Sequence, residues 1–208
     1  NLSWWIIFTS ILGGRFLYTF VEHAGYYFEN PWKFFAFHEG GLSFFGGLFF
    51  AIGFSILYCR KHRLVFWQVA DIFTPAIALG LSIAKIGCFL AGCCFGGVCA
   101  LPWAVTFTNP ESLADPRGAP LHPTQLYESL VNFGVFLFLL FFRRHQRFRV
   151  ELFLVFLIIY GVVRSYLETY RGSPGHLVGL TTAQFLSIPM VAASIVWWIL
   201  RWRSGTHD

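Results

Sequence analysis

The sequence predicts an all-α polytopic membrane protein with about six transmembrane helices, forming a single domain over residues 1–208. Of its 208 residues, 56% are hydrophobic and only 12% are charged, whereas soluble domains carry about 25% charged residues. Apolar runs recur along the whole chain, which favours several spans over a soluble domain with one anchor. The 26 Phe suit lipid-facing surfaces, and the eight Trp and eight Tyr suit the membrane interfaces.

Six segments are apolar enough for transmembrane helices, which need about 20 such residues to cross a bilayer. The predicted spans cover residues 2–20, 42–58, 65–90, 123–142, 150–169 and 181–202. The second segment is short and rich in Gly. It is therefore also compatible with a partly re-entrant path, which is tolerated where the backbone is buried in protein or lines a cavity.

Basic residues in the loops predict the orientation of these spans. Nine lie on one side of the predicted membrane and three on the other: Arg60, Lys61, Arg63, Arg143, Arg144, Arg147, Arg149, Arg201 and Arg203 against Lys33, Arg117 and Arg171. The positive-inside rule then places both termini in the cytoplasm, with loops at residues 26–41, 96–121 and 172–179 facing outward. Because the charges lie in loops between spans, the net charge of +5 does not indicate nucleic-acid binding.

Three basic residues, Arg15, Lys85 and Arg164, lie inside apolar stretches rather than in loops. A charge at the bilayer centre costs at least about 2.5–3.5 kcal/mol, so it is rare there without a function. The three cations predict an anionic partner within the membrane, and a phospholipid head group is the obvious candidate. For Arg15 alone, snorkelling to an interface is the alternative.

A glycine-rich segment at residues 40–47 is the first candidate site. Paired glycines permit positive φ and close backbone approach, and the N–H groups of such a turn can bind an anionic oxygen. Close helix packing through Gly46 and Gly47 is the alternative. His38 and Glu39 precede the segment at the predicted outer membrane edge, which favours a head-group site.

The segment from His122 to Glu128 is the second candidate site. Pro123 suits the first turn of a helix, and the free N–H groups of a helix start attract anions. His122 is a candidate general base or donor, because histidine is the side chain whose charge ordinarily changes near physiological pH. A capped helix start with Tyr127 at the interface is the alternative, although His, Gln, Tyr and Glu together exceed what a cap needs.

Arg164, Glu168 and Arg171 form the third candidate site. Arg164 and Glu168 are four residues apart and share a helix face, so they can pair. Arg171 follows Arg164 by seven residues and lies on the same face. Because an arginine fork also binds phosphate in bidentate geometry, the pattern predicts either a structural ion pair or a phosphate clamp.

Four cysteines lie at and after the end of the third predicted span, and a fifth lies near a cytoplasmic loop: Cys88, Cys93, Cys94 and Cys99, then Cys59. Zinc sites usually pair cysteines at shorter spacings, so a metal site is not the favoured interpretation. A disulfide suits an outward loop, and a thiolate nucleophile would need a base beside it. Packing of small side chains is the default interpretation.

The order of these motifs resembles the prolipoprotein diacylglyceryl transferase family over nearly the whole chain. The motifs are Gly13-Gly14-Arg15, Glu39-Gly-Gly-Leu-Ser-Phe-Phe45-Gly-Gly, Gln68-Val-Ala-Asp71, His122-Pro-Thr-Gln-Leu-Tyr-Glu128, Tyr160-Gly-x2-Arg164-x3-Glu168-x2-Arg171 and Gln184-Phe-Leu-Ser-Ile-Pro189. That family has seven spans and an outward N-terminus, so this chain resembles a member that lacks the first span. Since it begins at Asn1 rather than Met, we expect that an N-terminal piece is missing.

The resemblance implies a reaction at the bacterial inner membrane, with the active site toward the outer face. Such an enzyme moves the diacylglyceryl group of phosphatidylglycerol to the thiol of a lipobox cysteine in a prolipoprotein. Glycerol phosphate leaves and a thioether forms, which needs a base for the thiol and a cationic clamp for the phosphate. Phosphatidylglycerol, the prolipoprotein and membrane lipids are the expected partners, and no cofactor or metal is expected.

The site residues follow from the resemblance together with the motifs. His122 is expected to act as the base, with Glu39 as the alternative, and Arg164 matches a family arginine assigned to head-group contact or catalysis. The expected substrate-binding residues are Arg15, Lys85, Glu39, Gly46, Gly47, Tyr127, Glu128, Glu168 and Arg171.

The chain departs from the family pattern at two places and so resembles a divergent member. Phe45 stands where the family motif Ser-Phe-His-Gly-Gly has a histidine. The family signature Gly-Arg-x-Gly-Asn-Phe-x-Asn-x-Glu-x2-Gly reads here Ala84-Lys85-Ile-Gly87-Cys88-Phe89-Leu-Ala91-Gly-Cys93-Cys94-Phe-Gly96. Lys85 keeps the charge of the family arginine but not its fork.

Two other functions stay open on the sequence alone. A non-catalytic phospholipid-binding or lipoprotein-handling membrane protein would keep the cationic clamp and lack the base. A membrane acyl or lipid transferase would instead use a thiolate of Cys93 or Cys94, and Cys→Ser substitution would abolish its activity.

Overall fold

The computed structural model describes residues 2–22, 25, 27, 31–36, 41–171 and 180–204. Two expected site features, His38 and Glu39, lie outside the described residues, as does the predicted outward loop 172–179. The chain forms two compact units, Asn1–Val69 and Ala70–Asp208. Each unit is described by itself.

Six α-helices cover the predicted spans within the described residues. They are α1 (Leu2–Leu17), α2 (Phe44–Lys61), α3 (Phe66–Ala91), α4 (Thr124–Phe142), α5 (Glu151–Glu168) and α6 (Thr182–Arg203). A π-helical turn, Tyr18–Glu22, extends α1, and short 3₁₀ turns lie at Pro31–Phe35, Arg143–His145 and Thr169–Arg171. Strands β1 (Val105–Thr106) and β2 (Pro120–Leu121) pair in antiparallel fashion between α3 and α4.

The helices show an all-α membrane protein. Four of the described helical segments are long and apolar enough to cross a membrane: Phe66–Ala91, Thr124–His145, Glu151–Arg171 and Ala183–Arg203. The segment suspected of a re-entrant path forms one unbroken helix, α2, of 18 residues. The count of six spans and the cytoplasmic position of both termini remain predictions.

The first unit is built on close contact between α1 and α2. Gly13 and Gly14 of α1 face Gly46 and Gly47 of α2, and the Ser43 N–H donates to the Gly14 carbonyl at 2.9 Å. A Cβ atom on Gly46 would collide with the Gly13 carbonyl oxygen and with Leu17. Small residues therefore bring these two backbones together, as is common where helices pack in membranes.

The second unit packs its helices around a small apolar core. Its fully or nearly fully buried members are Ala78, Val135, Leu139 and Phe156. Ser82 of α3 and Ser129 of α4 exchange hydrogen bonds, because each hydroxyl donates to the backbone carbonyl of the other at 2.9 Å. These bonds join α3 to α4, the two helices that carry Lys85 and Glu128.

A buried carboxylate fixes the start of α5. Asp71 of α3 accepts the backbone N–H groups of Val150 at 2.6 Å and Phe153 at 2.9 Å, and the Gln146 amide at 2.6 Å. The first N–H groups of a helix have no intrahelical partners, and an acidic side chain there also suits the helix dipole. The direction of α5, and with it the position of Arg164, is thus tied to α3.

Candidate functional site

A single carboxylate gathers three basic side chains in the second unit. Glu128, whose side chain is 3% exposed, lies one turn into α4. Its Oε2 atom is 2.7 Å from Lys85 Nζ. Its Oε1 atom is 3.4 Å from Arg164 Nη1 and 3.3 Å from Arg171 Nη2. These contacts unite residues from three helices and the turn after α5, although they lie far apart in the sequence.

Glu168 supplies the second negative charge of this cluster. Its Oε2 atom lies 2.8 Å from Arg164 Nη1 and 3.9 Å from Arg171 Nη1. The pairing of Arg164 with Glu168, predicted from their spacing of four residues, is therefore present. We call Lys85, Glu128, Arg164, Glu168 and Arg171 the charge cluster. It holds three cations and two carboxylates, so one positive charge is left over for an anionic ligand.

A small open pocket lies beside Glu128 and Arg164. It runs between α4 and α5, and its lining combines polar and apolar side chains: Glu128, Val131, Asn132, Val135, Tyr160, Val163 and Arg164. The Asn132 side-chain amide donates to the backbone carbonyl of Glu128 at 2.7 Å, which holds the Asn132 side chain against α4. Arg164 lines one part of the pocket and valines line another. This lining suits a ligand that has a phosphate group next to an apolar group.

His122 lies in an aromatic setting at the start of α4. Its ring centroid is 5.4 Å from that of Tyr170 and 6.4 Å from that of Tyr127. Its backbone is held by Gly96 and Gly97, because the Gly96 N–H donates to the His122 carbonyl and the His122 N–H donates to the Gly97 carbonyl. Within the described residues its Nδ1 atom is buried without a hydrogen-bond partner. Among the described residues, no donor therefore occupies this ring nitrogen.

The tyrosine of this segment is anchored rather than free. Tyr127 accepts a hydrogen bond from Trp103 Nε1 at 2.7 Å. Its ring also lies beside that of His122, with the centroids 6.4 Å apart. Among the described contacts, no ion pair or hydrogen bond joins His122 to the charge cluster.

Arg15 lies in the first unit, where backbone carbonyls surround it. The residue is 0% exposed. Its guanidinium donates to the carbonyls of Phe34, Gly41, Lys33 and Ala36. Such contacts explain how the charge is tolerated at burial, and they tie Lys33, Phe34, Ala36 and Gly41 to α1. Snorkelling to the interface, the alternative on the sequence, does not describe this side chain.

Two other predicted positions of the first unit are also occupied by packing. Gly46 and Gly47 face α1, so their backbones approach Gly13 and Ser10. Phe45, at the place of the family histidine, is 56% exposed and stacks on Phe49. A phenyl ring accepts no proton, so the base must come from another residue.

The cysteine segment folds back on the end of α3. The Cys93 N–H donates to the Cys88 carbonyl at 3.0 Å and the Gly92 N–H donates to the Phe89 carbonyl at 3.1 Å, with φ of +69° at Gly92. This pair of bonds with a left-handed glycine is the Schellman motif that ends many helices. The reversal brings the sulfur atoms of Cys88, Cys93 and Cys94 within 4.8 Å of one another.

Side chains of α4 and the Arg171 turn hold the backbone of this segment. Gln125 Nε2 donates to the Cys93 carbonyl at 2.8 Å. Thr124 Oγ1 and Arg171 Nη2 donate to the Cys94 carbonyl at 3.0 and 3.1 Å. These contacts of Thr124 and Gln125 were not predicted from the sequence. The signal was present as two polar residues in the first turn of a predicted span.

All five cysteines lie within the described range and are free thiols, so the disulfide alternative was wrong. Burial, with the neighbouring Cys94 and Cys88 thiols, raises the pKa of the Cys93 thiol to about 12. For Cys94, burial also acts to raise the pKa, but the charges of Lys85 and Arg171 and the hydrogen bond from Cys93 outweigh it and lower that pKa below its ordinary value. The two adjacent thiols therefore differ in acidity.

The chain matches one protein family over nearly its whole length. The family model described as prolipoprotein diacylglyceryl transferase matches residues 1–200. A phosphatidylglycerol–prolipoprotein diacylglyceryl transferase from Idiomarina loihiensis is 38% identical over 204 residues, covering 94% of this chain and 73% of the relative. Proteins with the same name from Finegoldia magna and Bordetella parapertussis are 33% and 36% identical. They cover 92% and 93% of this chain, and 74% of each relative is matched.

Proposed function

This chain belongs to the prolipoprotein diacylglyceryl transferase family, and from that membership we propose that it transfers diacylglyceryl from phosphatidylglycerol to a cysteine thiol of a prolipoprotein. The chain is thus a membrane transferase by family. The names of its relatives give the lipid donor and the protein acceptor.

The charge cluster is the observation that carries this proposal. The donor phosphate bears a negative charge, and the cluster has one cation more than it has carboxylates. Arg164 lines the open pocket with Glu128, so its guanidinium can contact a phosphate there while still paired with Glu168. An arginine fork matches phosphate geometry, whereas Lys85 contributes charge without that geometry.

The proposed reaction forms one bond and breaks another at a glycerol carbon. The acceptor thiol loses its proton, and its sulfur attacks the carbon that carries the phosphate ester. A C–S bond forms as the C–O bond to phosphate breaks, and the electron pair leaves with the glycerol phosphate. Lys85, Arg164 and Arg171 would stabilise the charge that grows on the departing phosphate oxygens, which is where fixed cations contribute most to rate.

His122 is the proposed base for the acceptor thiol. Its Nδ1 atom is buried and, among the described residues, unpaired, and histidine titrates in the range where a thiol must be deprotonated at neutral pH. Glu39 is the alternative and lies outside the described residues. We propose that the site faces the outer side of the bacterial inner membrane, because His122 and Arg171 directly adjoin the predicted outward loops 96–121 and 172–179.

Reconstitution with defined substrates tests the proposal. The purified full chain is placed in vesicles of phosphatidylglycerol with a lipobox peptide, and mass spectrometry reads diacylglyceryl on the peptide thiol. We expect the adduct for the wild-type chain, its loss in Arg164→Ala, and normal yield in the exposed control Arg117→Ala. Absence of any adduct, beside an active member of the family, would overturn the proposal.

Phe45 supports a second candidate function. A half-exposed aromatic ring replaces the histidine expected from the family motif, so the chain is also compatible with a phospholipid-binding protein that has lost catalysis. That function predicts phosphatidylglycerol binding that Arg164→Ala abolishes, with no transfer even in Phe45→His. Transfer by the wild-type chain excludes it.

A further inference from the structure

The thiols of Cys88, Cys93 and Cys94 meet at the end of α3, and no step proposed above uses them. Their three sulfur atoms lie within 4.8 Å of one another. A zinc ion bound to thiolates at about 2.3 Å in tetrahedral geometry holds its sulfur ligands about 3.8 Å apart. The sulfurs therefore need to approach by no more than about 1 Å, which side-chain rotation can supply.

The backbone that presents these thiols is fixed on both sides. The Schellman motif closes the end of α3 around Gly92, and Cys94 takes the left-handed region with φ of +63°. Left-handed φ is unfavourable for a side chain with a Cβ atom, so it persists only where neighbours hold it. Thr124 and Arg171 supply that hold through the Cys94 carbonyl. A preformed group of thiols loses less conformational entropy when it binds an ion. This rigidity therefore favours metal binding.

The charged side chains around the three cysteines suit a thiolate site. Three thiolates with a divalent zinc-class ion carry a net charge of minus one, which needs cations nearby. Lys85 precedes Cys88 by three residues on the same face of α3, and the Arg171 guanidinium contacts the Cys94 carbonyl. Both cations lie close enough to favour a negative charge on Cys94.

The donor set is incomplete for a closed structural site. Among the described residues, the group of His, Cys, Asp and Glu atoms that lie this close contains only these three thiols. Cys94 is exposed, so the ion is reachable from outside the protein. Three protein ligands with one open position are typical of catalytic zinc, whereas structural zinc is bound by four.

We propose that Cys88, Cys93 and Cys94 bind a zinc-class divalent ion, and that its open position takes the acceptor cysteine thiol. The role of the open position rests on the proposed function, because an acceptor thiol reaches this site only if the protein modifies thiols. The acceptor binds through sulfur as its proton passes to solvent or a base. The sulfur then forms the C–S bond, the C–O bond to phosphate breaks, and the metal keeps its oxidation state.

Metal content tests the first half without any activity. The full chain is purified in detergent under reducing conditions, and zinc is measured by mass spectrometry together with the thiolate-to-cobalt absorption after cobalt exchange. We expect about one zinc ion per wild-type chain, falling roughly fivefold or more in Cys88→Ser, Cys93→Ser and Cys94→Ser. The control Cys99→Ser keeps its metal. A wild-type chain without zinc and without the cobalt absorption overturns the site, as does equal loss in Cys99→Ser.

Thiol labelling keeps the test decisive if a serine variant fails to fold. The wild-type chain is treated with a maleimide with and without zinc, and the modified cysteines are mapped by mass spectrometry. Protection of Cys88, Cys93 and Cys94 by zinc, with Cys99 unchanged, supports the site. Equal labelling in both conditions overturns it.

The acceptor role is tested on the cobalt form with two lipobox peptides that differ only in Cys or Ser. A change in the thiolate-to-cobalt absorption with the Cys peptide alone supports the role. The same response to both peptides, or none, overturns it. Diacylglyceryl transfer that persists in metal-free protein also overturns the role and leaves the proposed function standing. Zinc binding without any transfer overturns the proposed function and leaves the metal site standing.

Discussion

At the scale of single residues, the chain gives its buried charges several contacts each. Glu128 touches three cations, and Arg164 touches both carboxylates of the charge cluster. Asp71 and Arg15 are likewise buried with three or more hydrogen-bond partners. A buried charge is stable only when it is paired, so removing one partner leaves the others without compensation.

Arg164→Lys separates the shape of the guanidinium from its charge. We expect kcat/KM for diacylglyceryl transfer to fall about 10-fold to 100-fold, because lysine keeps the charge but cannot make the bidentate phosphate contact. The exposed Arg117→Lys is the matched control and should retain full activity. Equal activity of Arg164→Lys and the wild-type chain would show that only the charge matters.

Glu128→Gln keeps the size of the side chain and removes its charge. Lys85, Arg164 and Arg171 then repel one another around a neutral amide, so we expect a loss of roughly 2–3 kcal/mol in the free energy of unfolding. Thermal unfolding in detergent measures the change. Glu111→Gln, at an exposed position of the loop before β2, should leave the unfolding temperature unchanged. A wild-type unfolding temperature for Glu128→Gln would contradict the central role assigned to this carboxylate.

At the scale of elements, the sequence predicted the helices well and their partners poorly. The six helices in the described part of the chain lie within a few residues of the predicted spans, since apolar length alone defines them. The pairing of Arg164 with Glu168 was predictable because both residues lie on one helix. Lys85 meets Glu128 and Asp71 meets Val150 only through tertiary folding, and no local pattern encodes contacts between segments so far apart.

Asp71→Ala removes the cap of α5 from a distance of 79 residues. Two backbone N–H groups and the Gln146 amide lose their acceptor inside the protein. We expect the free energy of unfolding to fall by about 2–4 kcal/mol, because buried donors are left unsatisfied. Thermal unfolding compares this variant with Asp115→Ala, which changes an exposed aspartate. Equal stability of the two variants would mean that water replaces the carboxylate without cost.

Gly161 and Gly134 offer a matched pair of helix glycines. A Cβ atom on Gly161 would collide with Val191 of α6, whereas one on Gly134 meets nothing within 4 Å. We expect Gly161→Ala to destabilise the chain by roughly 1–3 kcal/mol through overpacking. Gly134→Ala should be neutral or stabilising by up to about 1 kcal/mol. Unfolding temperatures in detergent give the comparison, and the opposite order would disprove the close α5–α6 contact.

At the scale of the whole molecule, the distribution of charge predicts orientation in the membrane. Nine basic residues lie in the loops and terminus assigned to one side, and Arg147 stacks on Trp202 there at 4.0 Å. The charge cluster lies toward the opposite ends of α4 and α5. This separation predicts a cytoplasmic anchor and an outward site in one chain.

A reporter fused after Asp208 tests that orientation. We expect a fluorescent protein to fold and emit at this position, and alkaline phosphatase to stay inactive there, because the positive-inside rule predicts a cytoplasmic C-terminus. Activity of the phosphatase fusion instead would reverse the orientation. Membrane fractionation and immunoblotting of both fusions control for their abundance.

The ties between helices of the charge cluster also impose an order on biosynthesis. Lys85 leaves the ribosome on α3 well before its partner Glu128 arrives on α4, and Arg164 follows later still on α5. Because chains are made from the N-terminus, α3 enters the membrane with an unpaired charge. The nascent protein therefore depends on the insertion machinery to retain α3 until α4 and α5 are synthesised.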